Sequence, residues 1–326
     1  MLIDNHGRIV NYLRLAVTDR CNLRCFYCMP ERGIKYINRK DLLTFEEMER
    51  LVTVFSELGI SKVRITGGEP FVRKGITDFL KSVSQIPKIT EINITTNGTL
   101  TSDKIDHLEQ LGISSVNLSL DSLDKDRFFA ITRRNEFNKV RRSFERLLES
   151  SIKVKINMVV MEGRNIADLW PMVELTRDAE VSVRFIEEMP FNGTMGLGNN
   201  TFWPASKILN YISQKYELEK LIDPPSSTAQ NYQPAGHKGN IGVIAAYTRT
   251  FCGSCNRIRL TPQGKLRTCL YSNSGLNFRD LMRSGASDQE IGDQLIRSVG
   301  KKAKDGFETE KLRHYRVSES MATIGG

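Results

Sequence analysis

Tyr12-Leu-Arg-Leu-Ala-Val-Thr-Asp-Arg-Cys21-Asn-Leu-Arg-Cys25-Phe-Tyr-Cys28 places three thiols directly after a short apolar run of strand length. Cysteines at i, i+4 and i+7 would line one face of a helix as small buried hydrophobes. Arg20, Asn22 and Arg24 crowd this short segment, and Pro30 limits any helix that follows. The reading is therefore a strand over 12–17 and a loop that carries the thiols at its carboxyl end.

The same unit recurs outward along the chain. Apolar runs at 62–66, 91–95, 115–120, 154–161 and 181–186 alternate with amphipathic stretches at 44–58, 75–85, 101–111, 137–150 and 165–177. Thr44 with Glu47 three residues on reads as a capping box, and Gly59 as the stop of that helix. Successive β/helix units favour an α/β fold, a parallel sheet with helices outside, as an open doubly wound sheet or a barrel. Sites in such folds gather at the carboxyl ends of the strands. The unusual residues fall there: Gly67-Gly-Glu-Pro70, Thr95-Thr-Asn-Gly98, Ser119 with Asp121, and Glu187-Glu-Met189. That regularity argues for one shared site.

Beyond residue 190 the pattern changes. Phe191-Asn-Gly-Thr-Met-Gly-Leu-Gly-Asn-Asn200 is a loop and Asp223-Pro-Pro-Ser-Ser-Thr228 a linker or long loop. A strand at 241–247, a hairpin turn at Pro262-Gln-Gly-Lys265 and helices at 277–283 and 287–299 complete the expectation. The division expected is a core domain over 1–220 and a smaller C-terminal domain over 221–326.

The 326 residues are 40% hydrophobic and 26% charged, which excludes wholesale disorder. No apolar run approaches the roughly 20 residues that cross a bilayer. The first ten residues carry no basic-then-apolar signal. The expectation is a cytoplasmic protein with no membrane partner. Lys plus Arg exceed Asp plus Glu by 47 − 38 = 9, which favours anionic partners.

All six cysteines fall into two triplets, Cys21, Cys25, Cys28 and Cys252, Cys255, Cys269. A triplet cannot pair internally without a thiol left over, and a cytosolic chain holds few disulfides. Three thiolates hold three irons of a cubane cluster and leave the fourth iron open. Zinc wants a fourth protein ligand; His6 and His107 are remote from the first triplet, and His237 is the nearest histidine to the second. A basic zinc-binding nucleic-acid module is the alternative reading, but none of the usual nucleic-acid motifs is present, so no nucleic-acid partner is expected.

Cys21-x3-Cys25-x2-Cys28, with Tyr27 before its last cysteine and Gly67-Gly68-Glu69-Pro70 after the second strand, resembles the signature of the radical S-adenosylmethionine (radical SAM) enzymes. The second triplet narrows the resemblance, together with Arg14-Leu-x-Val-Thr-Asp-Arg-Cys21, Arg64-Ile-Thr-Gly-Gly-Glu-Pro70, Asn117-Leu-Ser-Leu-Asp-Ser122, Arg184-Phe-Ile-Glu187 and Cys255-Asn-Arg-Ile-Arg-Leu260. These resemble the branch of that family that cyclises GTP at the start of molybdenum-cofactor biosynthesis. The resemblance implies an incomplete (β/α)6 TIM-like barrel with a smaller C-terminal α+β cluster-binding domain. It implies a lyase whose 5′-deoxyadenosyl radical takes the ribose 3′ hydrogen of GTP. It also implies two [4Fe-4S] clusters, one per triplet, the first binding SAM and the second binding substrate. An electron donor is a further partner; monomer and homodimer both stay open.

By the same resemblance Tyr27, Gly68, Ser119 and Met189 contact SAM. Arg14, Arg64, Thr95, Lys155, Arg257, Ile258 and Arg259 contact GTP, in keeping with the fit of forked guanidinium groups to phosphate. Arg184 is a weaker site candidate, and Arg133-Arg134 is an added basic pair to which the resemblance assigns no role. The last two residues, Gly325-Gly326, are expected to insert toward bound cofactor and substrate.

Overall fold

The computed structural model describes residues 1–30, 33–189, 202–273, 275–312 and 320–324. The Gly/Asn-rich loop expected at 191–200 and the Gly325-Gly326 pair lie outside them. The strands are β1 Tyr12–Ala16, β2 Lys62–Thr66, β3 Glu91–Thr96, β4 Ser115–Ser119, β5 Lys153–Val160 and β6 Ser182–Glu187. They continue as β7 Leu218–Lys220, β8 Ala229–Pro234, β9 Asn240–Ile244, β10 Arg257–Leu260 and β11 Leu266–Arg267. All belong to one sheet in the order β11-β10-β1-β2-β3-β4-β5-β6-β9-β8-β7. From β10 through β1 to β6 and on to β9 every pair is parallel.

Period two sorts each strand into two faces. Leu13, Leu15, Val63, Ile65, Ile258 and Leu260 face outward and are buried in the main apolar core with residues of the helices. The helix Phe45–Glu57 starts at Thr44 with both hydrogen bonds of the expected capping box. Its Met48, Leu51, Val52 and Phe55 supply the stripe that covers the sheet. Fully burying side chains of this kind contributes roughly 1.5–3 kcal/mol each.

Among the described residues the C-terminal strands do not build a sheet of their own. They extend both edges of the six-stranded core: β10 and β11 beside β1, and β9, β8 and β7 beside β6. The boundary expected at residue 220 falls within the antiparallel β7–β8 hairpin. The stretch read as a linker is the loop of that hairpin, tied by the Asp223 carboxylate, which accepts from the Asn231 backbone N–H at 2.9 Å. The turn expected at 262–265 joins β10 to β11. The helix Lys125–Thr132 has no counterpart among the expected elements, because its apolar residues run consecutively from Phe128 to Ile131 instead of recurring at helical spacing, and its buried residues are only Phe128, Ile131 and Thr132. It supports the first cysteine loop: the backbone N–H groups of Arg24 and Phe26 donate to the carbonyls of Thr132 and Ile131 at 2.9 and 3.1 Å.

Candidate functional site

Strand register writes the floor of the site. Arg14 on β1 stands opposite Arg259 on β10 and Arg64 on β2. One pleat earlier, Tyr12 stands opposite Arg257 and Lys62. In-register positions two residues apart share a face, so four arginines, a lysine and a phenol project together from three neighbouring strands. A further row joins Thr95, Asn117 and Lys155, and the next joins Ser119, Asn157 and Arg184. Gly242 on β9 continues that last row.

These rows floor a cavity of about 500 Å³ whose walls include all six cysteines. Tyr27, Gly68, Ser119, Met189, Arg14, Arg64, Thr95, Lys155, Arg257 and Arg259 line it as well. Ile258 does not: its side chain is wholly buried on the opposite face of β10, among core residues. Arg184, the weaker candidate, lines the cavity fully. Tyr12, Lys62, Asn117 and Asn157 also line it, although none of them stands among the expected contact residues. Each lies two residues from a residue already chosen, so period two was the signal that would have found them. Loop Pro224–Thr228 and Phe251 complete the rim from the C-terminal region.

Crowding of like charge sets the electrostatics. Burial, then Arg184 and Arg64, pull the Lys155 ammonium down to about 7. Burial and Arg257 bring Arg259 to about 10; burial and Arg64 do the same to Arg184. Burial would raise the Tyr12 phenol, but Arg64 and Arg14 outweigh it and leave it at about 8. Arg64 Nε donates to the Tyr12 hydroxyl. Among the described residues Glu91 neutralises only the edge of this field, pairing with Lys62 at 2.7 Å. Asn117 Oδ1, Asn157 Oδ1 and Arg184 Nε are buried without a hydrogen-bond partner. Buried polar groups are normally satisfied, so this floor is chemically suited to a polyanion with several hydrogen-bonding groups.

At one end of the cavity the first triplet sits on a closely folded loop. The Cys28 and Met29 N–H groups donate to the Cys25 carbonyl at 3.0 and 2.8 Å, and Asn97 Nδ2 donates to Cys21 Sγ at 3.6 Å. Gly67 and Gly68 let the turn after β2 touch this segment. A Cβ at Gly68 would lie 2.3 Å from the Arg20 carbonyl oxygen. The Gly68 and Glu69 N–H groups donate to the carbonyls of Thr18 and Arg20, each at 2.8 Å. Burial raises the Cys21 thiol to about 11, with Glu69 adding to it, and the Cys28 thiol to about 12, with Cys21 adding to it. Burial and Asp121 push Cys25 well up too. Such thiols become thiolates only beside positive charge, which coordinated iron supplies. Tyr27 donates to Asp121 Oδ2 at 2.7 Å, and burial lifts that carboxyl to about 6.

The second triplet has a different environment. Burial raises the Cys255 thiol, but Arg257 and Lys302 outweigh it and bring it to about 6. Burial raises Cys252. Among the described residues no three Cys, His, Asp or Glu side chains converge as a single-ion site. His237 lies elsewhere, its Nδ1 2.8 Å from Thr176 Oγ1, so it does not serve the second triplet as a fourth zinc ligand. Three-thiol sets without a fourth donor fit clusters that keep one iron open.

A family model described as the radical SAM superfamily matches residues 15–176, and one described as Molybdenum Cofactor Synthesis C matches residues 181–308. The chain is 42% identical over 301 residues to a GTP 3′,8-cyclase of Syntrophomonas wolfei, covering 91% of this chain and 92% of that protein. It is 40% identical over 328 residues to a GTP 3′,8-cyclase of Desulforamulus reducens, covering 100% of each. It is also 40% identical over 315 residues to molybdenum cofactor biosynthesis protein 1 of Dictyostelium discoideum, covering 93% of this chain and about half, 49%, of that protein. Among solved structures, Streptococcus suis SuiB bound to S-adenosylmethionine superposes with a TM-score of 0.57 at 16% identity, covering 88% of this chain and 68% of that one. SuiB bound to its precursor peptide SuiA gives 0.60 at 15% identity, covering 95% and 69%. At such identity the likeness is one of fold.

Proposed function

This chain belongs to the GTP 3′,8-cyclase family of radical SAM enzymes, and from that premise we propose that it converts GTP to (8S)-3′,8-cyclo-7,8-dihydroguanosine 5′-triphosphate in molybdenum-cofactor biosynthesis. The observation that carries the reading is a single cavity lined by two separate thiol triplets with a cationic floor. A basic zinc module for nucleic acid has no use for that enclosure.

As a radical SAM enzyme the chain takes SAM and an iron–sulfur cluster. In our reading Cys21, Cys25 and Cys28 hold a [4Fe-4S] cluster, and Cys252, Cys255 and Cys269 hold a second one. Held by Cys21, Cys25 and Cys28 and reduced by an external donor, the first cluster would supply the one-electron chemistry that cleaves SAM for removal of the ribose 3′ hydrogen of GTP. The protein's share is binding and orientation. Gly68 offers close backbone approach for SAM, with Ser119, Met189 and the Tyr27 loop around it. Arg14, Arg64, Thr95, Lys155, Arg257 and Arg259 receive GTP, with Ile258 contributing backbone alone. Two residues join that set: Arg184, whose buried Nε lacks a partner, and Tyr12, the phenol between the arginines. We assign SAM and the first cluster to residues 1–220 and the second cluster to residues 221–326, with GTP held between residues of both stretches. An external electron donor completes the reaction. Among the described residues no helix is long and apolar enough to cross a membrane.

Anaerobically reconstituted protein tests this directly. The expected result is two four-iron clusters, half the iron after replacement of Cys21, Cys25 and Cys28 by Ala, and cyclic product from GTP, SAM and a reductant. Arg259→Ala weakens GTP binding by on the order of 1.5–3 kcal/mol for a lost charge-assisted contact, with SAM cleavage retained. Zinc in place of iron, or unaltered GTP affinity, overturns the assignment.

A further inference from the structure

Lys302 follows a helix and sits in the run Lys301-Lys-Ala-Lys304, which reads as solvated surface. The fold buries it: only 2% of the residue is exposed. The helix Asp288–Val299 ends at Gly300, and the Lys302 N–H donates to the Val299 carbonyl at 2.9 Å, which turns the side chain inward. Its ammonium has three protons, and three acceptors surround it. Nζ donates to the Thr268 carbonyl at 2.5 Å, to the Arg257 carbonyl at 3.2 Å and to Cys255 Sγ at 3.8 Å. Thr268 immediately precedes Cys269. One side chain thus joins both arms of the second cysteine set.

The neighbouring backbone is held to the same loop from another direction. Arg8 Nη1 donates to the carbonyls of Cys252 at 3.0 Å and Lys304 at 2.6 Å, and Nη2 to Ala303 at 2.7 Å. Arg8 has a carboxylate, Asp4, at 2.6 Å. Lys302 forms no ion pair of this kind among the described residues; its acceptors are two carbonyls and a sulfur. A buried ammonium without a counter-anion is strongly disfavoured. The negative charge within its reach is that of the cysteine sulfur.

We propose that Lys302 is the positioning residue and counter-cation of the second cluster, holding Cys255 and Cys269 in register and donating a hydrogen bond to the Cys255 ligand sulfur. Hydrogen bonds to ligand sulfurs draw charge from the cluster and raise its reduction potential. Lys302 does not line the cavity, so it acts through Cys255 and is not a catalytic residue. This inference rests on the two-cluster reading above.

The test uses the full chain with Cys21, Cys25 and Cys28 replaced by Ala, which leaves the second cluster alone. Absence of any iron from that parent protein would refute the two-cluster reading itself, before Lys302 is touched. With the cluster present, Lys302→Met and Lys302→Arg are compared by iron content, melting temperature and potentiometric titration followed by electron paramagnetic resonance. The expected result is a negative shift of the midpoint potential in Lys302→Met at equal iron, and a smaller shift in Lys302→Arg, which keeps the charge. Iron loss in Lys302→Met that Lys302→Arg restores supports the role equally. An unchanged potential with the cluster retained overturns it. So does equal iron loss and equal lowering of the melting temperature in both variants, which would reveal a packing role only.

Discussion

Lys155 shows how a single residue registers the whole floor. Its exposed neighbour on the same strand face, Lys153, is equally basic in sequence, yet only Lys155 meets Arg184 and Arg64, and burial with those cations brings it to about 7 from 10.5. The sign follows from linkage. Between these two values the unfolded chain binds more protons than the folded one, so this group makes ligand-free stability rise with pH across that window. A bound triphosphate reverses the preference by favouring the ammonium. GTP binding at pH 8 is therefore expected to take up a proton through Lys155, and affinity to fall by up to about tenfold per pH unit above 7. Isothermal titration in buffers of different ionisation enthalpy measures the uptake. Lys155→Met should remove it and weaken binding by on the order of 1.5–3 kcal/mol; an uptake unchanged in that variant excludes Lys155 as its source.

At the level of elements, the turn after β2 and the cysteine loop after β1 are built as a pair. Gly67 has a φ of +150° and stands where a Cβ would lie 2.5 Å from the Thr18 carbonyl oxygen. Gly68 meets the Arg20 backbone more closely still. The atoms in the way are backbone atoms, which cannot rotate aside. Gly68→Ala should push the two loops apart and cost about 2 kcal/mol through the two backbone hydrogen bonds between them, at about 1 kcal/mol each. We expect that variant to lose the first cluster and keep the second, so that iron analysis reads half the wild-type value. Full iron would show that the loops tolerate separation. The motif was legible in sequence as a tight turn; that its glycines are needed for contact with the cysteine loop was not, because the partner lies on another strand.

Across the whole molecule, the C-terminal region supplies both flanks of the core. Without β10 and β9, the backbones of β1 and β6 become open edges, and unpaired edges recruit other chains. The Arg257–Tyr12 and Arg259–Arg14 pairings would vanish with β10. A fragment of residues 1–220 should therefore aggregate or lack fixed tertiary structure. Size-exclusion chromatography and near-ultraviolet circular dichroism check this. A monomeric, cooperatively unfolding fragment would restore residue 220 as a true boundary.

Several features needed no tertiary structure to read. The β/helix alternation, the capping box at Thr44, the two cysteine triplets and the placing of polar clusters at strand ends all follow from periodicity, hydrogen-bonding capacity and spacing within a few residues. What lay outside that reach depended on pairing between distant segments. Register turned Arg14, Arg64 and Arg259 into one row and sent Ile258 to the opposite face. The short polar strands β7 and β8 carry too little alternation to announce themselves, and they form because β9 offers an edge to β8 and β8 one to β7. Lys302 belongs to the same class. Its sequence reads as solvated surface, and only the turn after the helix Asp288–Val299, which brings Nζ to the Thr268 and Arg257 carbonyls and to Cys255 Sγ, makes it a buried cation beside a sulfur. Local pattern determines which elements form and which residues stand at their ends; long-range contact alone decides which of those residues meet.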